Sequence, residues 1–162
     1  MFTMRQATKS DCPLILQFIQ LLAKYEKLEH EVTATVSELE ATLFDAPEAD
    51  AKVYLGFEDK EPVGFALFFF NYSTFLGKKG IYLEDLYVKE EYRGRGYGKY
   101  MLQFLAKLAV ENNYGRLEWS VLDWNQPAID FYENAGAKAM HDWTIYRLSG
   151  NELKRFAGNE QN

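Results

Sequence analysis

A chain of 162 residues, 48% hydrophobic and 16% aromatic, has the apolar surface for one domain with a real core, which excludes wholesale disorder. Its formal net charge of -6 argues against a nucleic-acid partner, whose phosphates require a basic face, and suits a soluble surface or a cationic ligand. The single cysteine, Cys12, rules out an intrachain disulfide and fits a reducing cytoplasm.

The predicted elements run as follows. Residues 2–7 alternate and read as a first strand. Ser10 is the expected N-cap of a helix reaching about Lys27, with Asp11 and Pro13 in its first turn and an apolar face of Ile15, Phe18, Ile19 and Leu22. Cys12 falls in that first turn and is expected to be structural. Ser37 with Glu40 resembles a capping box and opens a shorter helix to about Phe44. A loop at 45–50 contains Pro47. Strands follow at 52–58 and 62–72, joined by an Asp59-Lys60 hairpin turn, with Gly64 the expected bulge site. A third apolar strand spans 81–88. An amphipathic helix at 97–112 presents Met101, Leu102, Leu105, Leu108 and Ala109. A strand at 116–122 and a helix from about Pro127 to Gly136 come next, and 137–148 is expected to hold the last strand or strands. This order predicts a single α/β (α+β) domain over 1–162, with a central mixed sheet, helices on both faces and a disordered tail. The most apolar run, 63–70, is too short to span a bilayer, and the N-terminus is not expected to be a signal peptide. His30 and His141 lack a second His or Cys at ligand spacing, so no metal is expected.

The sharpest feature is Glu91-Tyr92-Arg93-Gly94-Arg95-Gly96-Tyr97-Gly98-Lys99, between an apolar strand and a helix. Three alternating glycines let the backbone turn and approach a ligand closely. The helix start adds unpaired N–H groups and a positive dipole end, which together make an anion site. Arg93, Arg95 and Lys99 add formal charge. A phosphate loop ending in Gly-Lys-Ser/Thr is absent, and Lys99 stands where a dinucleotide fingerprint needs its third glycine. The pattern Arg93-x-x-Gly96-x-Gly98 instead resembles the pyrophosphate loop of the GNAT acetyltransferases.

Further segments extend that resemblance over nearly the whole chain. Lys24-Tyr25-Glu26-Lys27-Leu28, Tyr82-Leu83-Glu84-Asp85-Leu86-Tyr87-Val88, Tyr92-Arg93-Gly94 and Asp123-Trp124-Asn125-Gln126-Pro127-Ala128-Ile129-Asp130-Phe131-Tyr132 are similar to the diamine (spermidine/spermine) N-acetyltransferases and the related thialysine N-acetyltransferases. The segment 122–126 is nearer the thialysine type, and the turn at 58–61 is shorter than in the group. The resemblance implies a GNAT fold and acetyl-CoA as co-substrate. It implies that backbone groups of Leu86, Tyr87 and Val88 pair with the pantetheine arm. Gly94, Arg95, Gly96, Tyr97, Gly98 and Lys99 would hold the pyrophosphate. Asn125, Pro127, Ala128 and Tyr132 would line the same site. It further implies a homodimer.

Acetyl transfer needs a neutral amine, a polarised thioester carbonyl and a proton for the departing thiolate. A lysine-like amine has a pKa of about 10.4, so it arrives protonated, and a nearby carboxylate can attract it and help remove the proton. Adjacent strand residues point to opposite faces, so only one of Glu84 and Asp85 is expected to face the cleft. The family pattern selects Glu84, as base through a water. Tyr132 is expected to donate a proton to the CoA thiolate. A backbone N–H near Leu86 is the expected oxyanion donor. Tyr25, Glu26, Glu84 and Trp143 are the candidates for amine recognition, Trp143 through a cation–π contact. The reading is therefore a cytoplasmic N-acetyltransferase of a small cationic amine, a diamine, polyamine or thialysine-like amino acid. Other acceptors (lysine, an aminoglycoside, a protein N-terminus) and a non-catalytic acetyl-CoA sensor are the alternatives.

Overall fold

Five strands form one sheet in the order β1-β2-β3-β4-β5. They are β1 (Phe2–Gln6), β2 (Lys52–Glu58), β3 (Glu61–Ser73), β4 (Lys78–Val88) and β5 (Leu117–Trp119). The first four are antiparallel neighbours, and β5 lies parallel to β4, so the sheet is mixed as expected. The structure, a computed structural model, describes residues 1–158. The expected tail at 159–162 lies outside them. The chain divides into two compact units, Met1–Leu122 and Asp123–Asn162.

In the first unit, helix α1 (Cys12–Tyr25) and helix α3 (Tyr97–Glu111) take opposite faces of the sheet. Consecutive strand residues point to opposite sides. Leu55 of β2 belongs to the core that holds Ile15 and Phe18 of α1, whereas the ring of its neighbour Tyr54 meets Phe104 of α3 at 4.9 Å. Phe18 stacks on Phe65 of β3 with centroids 5.4 Å apart, and both are fully buried. Burial of side chains this size contributes roughly 1.5–3 kcal/mol each. On α3, Met101, Leu102, Leu105 and Ala109 are buried and Leu108 partly so, as the helical spacing predicts. Cys12 is buried at the start of α1, and desolvation pushes its thiol pKa upward, which suits a structural residue.

Several local details differ from expectation. The N-cap position of α1 is Asp11, not Ser10, and a short 3₁₀ turn, Lys9–Asp11, precedes it with Thr8 as its own cap: Asp11 accepts from the Thr8 backbone N–H at 2.8 Å. α1 stops at Tyr25, and Lys27 turns into the left-handed region at φ 62. Helix α2 (Val36–Glu40) is capped by Thr35 rather than Ser37. The Glu38 N–H donates to Thr35 Oγ1 at 3.2 Å while the Thr35 N–H donates to Glu38 Oε2 at 2.8 Å. A π-type turn, Ala41–Asp45, continues it. The β2–β3 register shifts beside Gly64, with Gly56 opposite Gly64 and Phe57 opposite Pro62, so Val63 is the extra residue.

In the second unit, helix α4 (Gln126–Asn134) starts one residue before Pro127 and is capped by the Asn125 side chain. Helix α5 (Gly150–Phe156) follows Ser149 and has no counterpart in the sequence reading. The strand expected within 137–148 is not formed: this stretch lacks regular structure. A strand needs a neighbour to satisfy its backbone groups, and this unit contains no other strand among the described residues.

Candidate active site

The first part of the site is the turn from β4 into α3. Gly94 and Gly96 have φ of 77 and 82, a region that costs a residue with a Cβ roughly 1–2 kcal/mol. A Cβ at Gly94, Gly96 or Gly98 would meet nothing within 4 Å, so the backbone here is open to a ligand. Gly96 is the N-cap of α3 and supplies no side-chain acceptor, which leaves the first N–H groups of a 15-residue helix facing outward. This cradle fits an anionic diphosphate. Two arginines of the loop have partners within the chain. Arg93 Nε donates to the Val88 carbonyl at 3.0 Å, and its guanidinium lies 4.8 Å from the Tyr25 ring and 5.3 Å from the Tyr87 ring. Arg95 is held by Glu58 at 2.7 Å. Among the described residues, only Lys99 of these three cations has neither an ion pair nor a hydrogen bond of this kind, and it is exposed.

The second part is the end of β4. The pairing of β4 with β5 joins Ile81, Tyr82 and Leu83 to Leu117, Glu118 and Trp119 and does not extend to Leu86, Tyr87 or Val88. On the other side, those three residues pair with Ala66, Phe65 and Gly64 of β3. Tyr87 is buried in the core, so only its backbone is offered for binding. One residue earlier the register breaks: Leu67 faces Asp85 but Phe68 faces Leu83, which makes Glu84 the extra residue of a bulge. A bulge re-aims side chains. The expectation that only one of Glu84 and Asp85 faces the cleft rested on strict alternation, and alternation fails here.

Electrostatics show the consequence. Burial, then Glu84, then Glu26 push Asp85 up to about 7 from an ordinary 3.8. Glu26, which ends α1, is also raised by burial and by Glu84. Three carboxylates from α1 and the β4 bulge thus share one field, and Tyr25 and Arg93 connect them to the phosphate cradle. Asp85 is the residue the sequence reading passed over. Its signal is the β3–β4 register, which one strand's sequence does not carry.

The remaining predicted residues lie in the second unit. Asn125 is buried, and its Oδ1 accepts from the Ala128 N–H at 3.4 Å, with Pro127 in the first turn of α4. Tyr132 sits on α4 against Phe131, ring centroids 5.7 Å apart. Trp143 is 74% exposed.

A mixed sheet whose fourth strand runs through a bulge into a glycine cradle at a helix start defines an acyltransferase of the GNAT class. The acetyltransferase (GNAT) family profile matches residues 16–137, and the chain belongs to that family, whose members use acetyl-CoA as co-substrate. It is 37% identical to an L-ornithine N5-acetyltransferase of Arabidopsis thaliana, over 93% of this chain and 85% of the relative. It is also 37% identical to a thialysine N-epsilon-acetyltransferase of Bos taurus, over 95% and 96% of the two chains. Among solved structures, an integron cassette protein of V. cholerae superposes with a TM-score of 0.78 at 27% identity, covering 96% of this chain and 97% of its own. No helix among the described residues is long and apolar enough to cross a membrane.

Proposed function

We propose that the protein acetylates a primary amine on a small cationic molecule, a diamine, polyamine or an amino acid with a terminal amine such as thialysine or ornithine. The observation that carries this reading is the carboxylate group of Glu26, Glu84 and Asp85 beside the phosphate cradle. A bound cation would offset the burial and the carboxylate repulsion that together raise Asp85. The thialysine and ornithine activities of the two relatives support the same substrate class.

Acetyl-CoA supplies the activated acetyl group as a thioester. Backbone N–H groups of 94–99 and the Lys99 ammonium hold its diphosphate, and the backbone of Leu86, Tyr87 and Val88 pairs with the pantetheine arm. Glu26 and Glu84 draw in the substrate ammonium. Glu84, through a water, accepts the proton that frees the amine, and Asp85 shares that duty with a pKa suited to proton transfer near neutral pH. Tyr132 donates a proton to the departing thiolate. Tyr25 and Trp143 offer aromatic faces to the cation. This reading includes a cytoplasmic homodimer, supported by the family resemblance and by the free cysteine.

The test is CoA release from acetyl-CoA with spermidine, putrescine, thialysine, ornithine, lysine and an aminoglycoside, for wild type and Tyr132→Phe. Turnover is expected with a diamine or amino-acid amine, and the variant should lose about 100-fold in kcat. Wild type that binds acetyl-CoA and acetylates none of these amines would refute the substrate class.

A further inference from the structure

Two side chains of the phosphate loop turn away from the cradle to the tip of the β2–β3 hairpin. Arg95 Nη1 donates to Glu58 Oε1 at 2.7 Å, and the Tyr97 hydroxyl donates a short hydrogen bond to the same oxygen. Arg95 Nη2 also reaches the Glu91 carbonyl at 3.4 Å, and the guanidinium lies 5.0 Å from the Tyr92 ring centre. Phe2 of β1, opposite Glu58 in the sheet, stacks on Tyr97 with centroids 4.4 Å apart and meets Tyr100 edge-on at 5.1 Å. Gly56 leaves room for that ring, since a Cβ there would lie 2.8 Å from Phe2.

The two donors hold the Glu58 pKa below the ordinary carboxylate value, so it stays ionised at neutral pH. Residues 95 and 97 flank Gly96, the left-handed N-cap of α3. A stretch with glycine at every second position has many backbone states, and selecting the one that converges its N–H groups costs entropy. A clamp on either side of Gly96 removes most of that freedom.

We propose that Glu58 is a positioning residue for the phosphate loop, gripping Arg95 and Tyr97 so that residues 94–98 hold their anion-binding form before the cofactor arrives. The proposal rests on the reading of 94–99 as the diphosphate site. It gives Arg95 a task other than direct contact with phosphate. A loop that holds the binding form only a tenth of the time without its clamp binds about tenfold more weakly.

The experiment is calorimetric titration of CoA into the full-length chain as wild type, Glu58→Ala, Arg95→Ala and the double variant, with steady-state kinetics beside it. Each single variant should raise the CoA Kd about tenfold, and the double variant no further, because the two residues act as one unit. Glu58→Ala should raise KM for acetyl-CoA while kcat and the amine KM hold within about twofold. Tyr97→Phe keeps the ring on Phe2 and removes only the hydroxyl. It should raise Kd about threefold, and it serves if an alanine variant does not fold. Glu58→Ala that binds CoA as well as wild type, or better, overturns the proposal, the latter because Arg95 would then be a phosphate ligand that Glu58 withholds. A double variant that loses the product of the two single losses also overturns it. Wild type that takes up no CoA removes the underlying reading of the loop itself.

Discussion

The phosphate cradle and the acidic bulge lie close along one stretch of chain, yet they are specified by different kinds of information. The cradle is local. Its φ values of 77 and 82 need glycine at 94 and 96, and the helix that orients its N–H groups starts at the next residue. The bulge is non-local. Glu84 and Asp85 sit together with Glu26 because β3 and β4 slip by one residue at Leu67/Phe68 and because α1 ends nearby. A site built from backbone is exposed to substitutions that add a Cβ, whereas a site built from register is exposed to changes in charge.

The largest expected effect falls on the backbone half. Gly96→Val adds strain at a left-handed position and places methyl groups in space that is now open to 4 Å. Affinity for CoA should drop about 100-fold or more, while the folded sheet survives. Isothermal titration and a thermal melt together check this. Retained binding would mean that the N–H groups of the cradle are not the anion's partners.

A smaller effect, of another kind, belongs to the bulge. Wild-type activity toward the amine should rise with pH through about 7 as Asp85 ionises. Asp85→Asn should lower kcat/KM for the amine about tenfold and flatten that rise, with KM for acetyl-CoA unchanged. Stability gives an independent readout. The folded pKa of Asp85 lies above its unfolded value, so the folded state binds more protons between pH 3.8 and about 7. Wild type therefore loses stability as pH rises through that window, by on the order of 2–4 kcal/mol. Asp85→Asn should match wild type near pH 3 and exceed it at pH 8. Parallel melting curves for the two proteins across that range would show that Asp85 is not desolvated.

The same contrast explains how much was legible in the sequence. β2 was read with its observed bounds and α3 to within a residue at its end, because their apolar spacing is strong and the apolar positions are the ones that pack. The glycine loop was legible because strained backbone leaves a residue-type signature. The caps were not: Thr35 with Glu38 and Ser37 with Glu40 obey the same pattern, and local spacing does not rank them. The pairing of Asp85 with Glu84 was missed because alternation assumes an unbroken register. The engagement of Arg93 with Tyr25 and Val88, and of Arg95 with Glu58, was missed because a basic residue in a phosphate loop reads as a phosphate ligand. The strand expected at 137–148 has no ladder partner among the described residues of its unit, and a segment's own sequence does not supply one.

The finest test concerns the charge that the cradle retains. With Arg93 and Arg95 engaged elsewhere, Lys99 is the cation of the loop left to add a point charge to the backbone N–H groups. It sits exposed in the first turn of α3, so water and salt weaken its field. Lys99→Ala should reduce CoA affinity about threefold to fivefold at low ionic strength. The difference should shrink at 0.5 M salt, where the Debye length falls to roughly 4 Å. A loss that is large and insensitive to salt would place the ammonium in a desolvated contact with phosphate and shift weight from backbone to side chain. No loss at either ionic strength would leave the cradle as backbone alone, the extreme form of the contrast with the bulge.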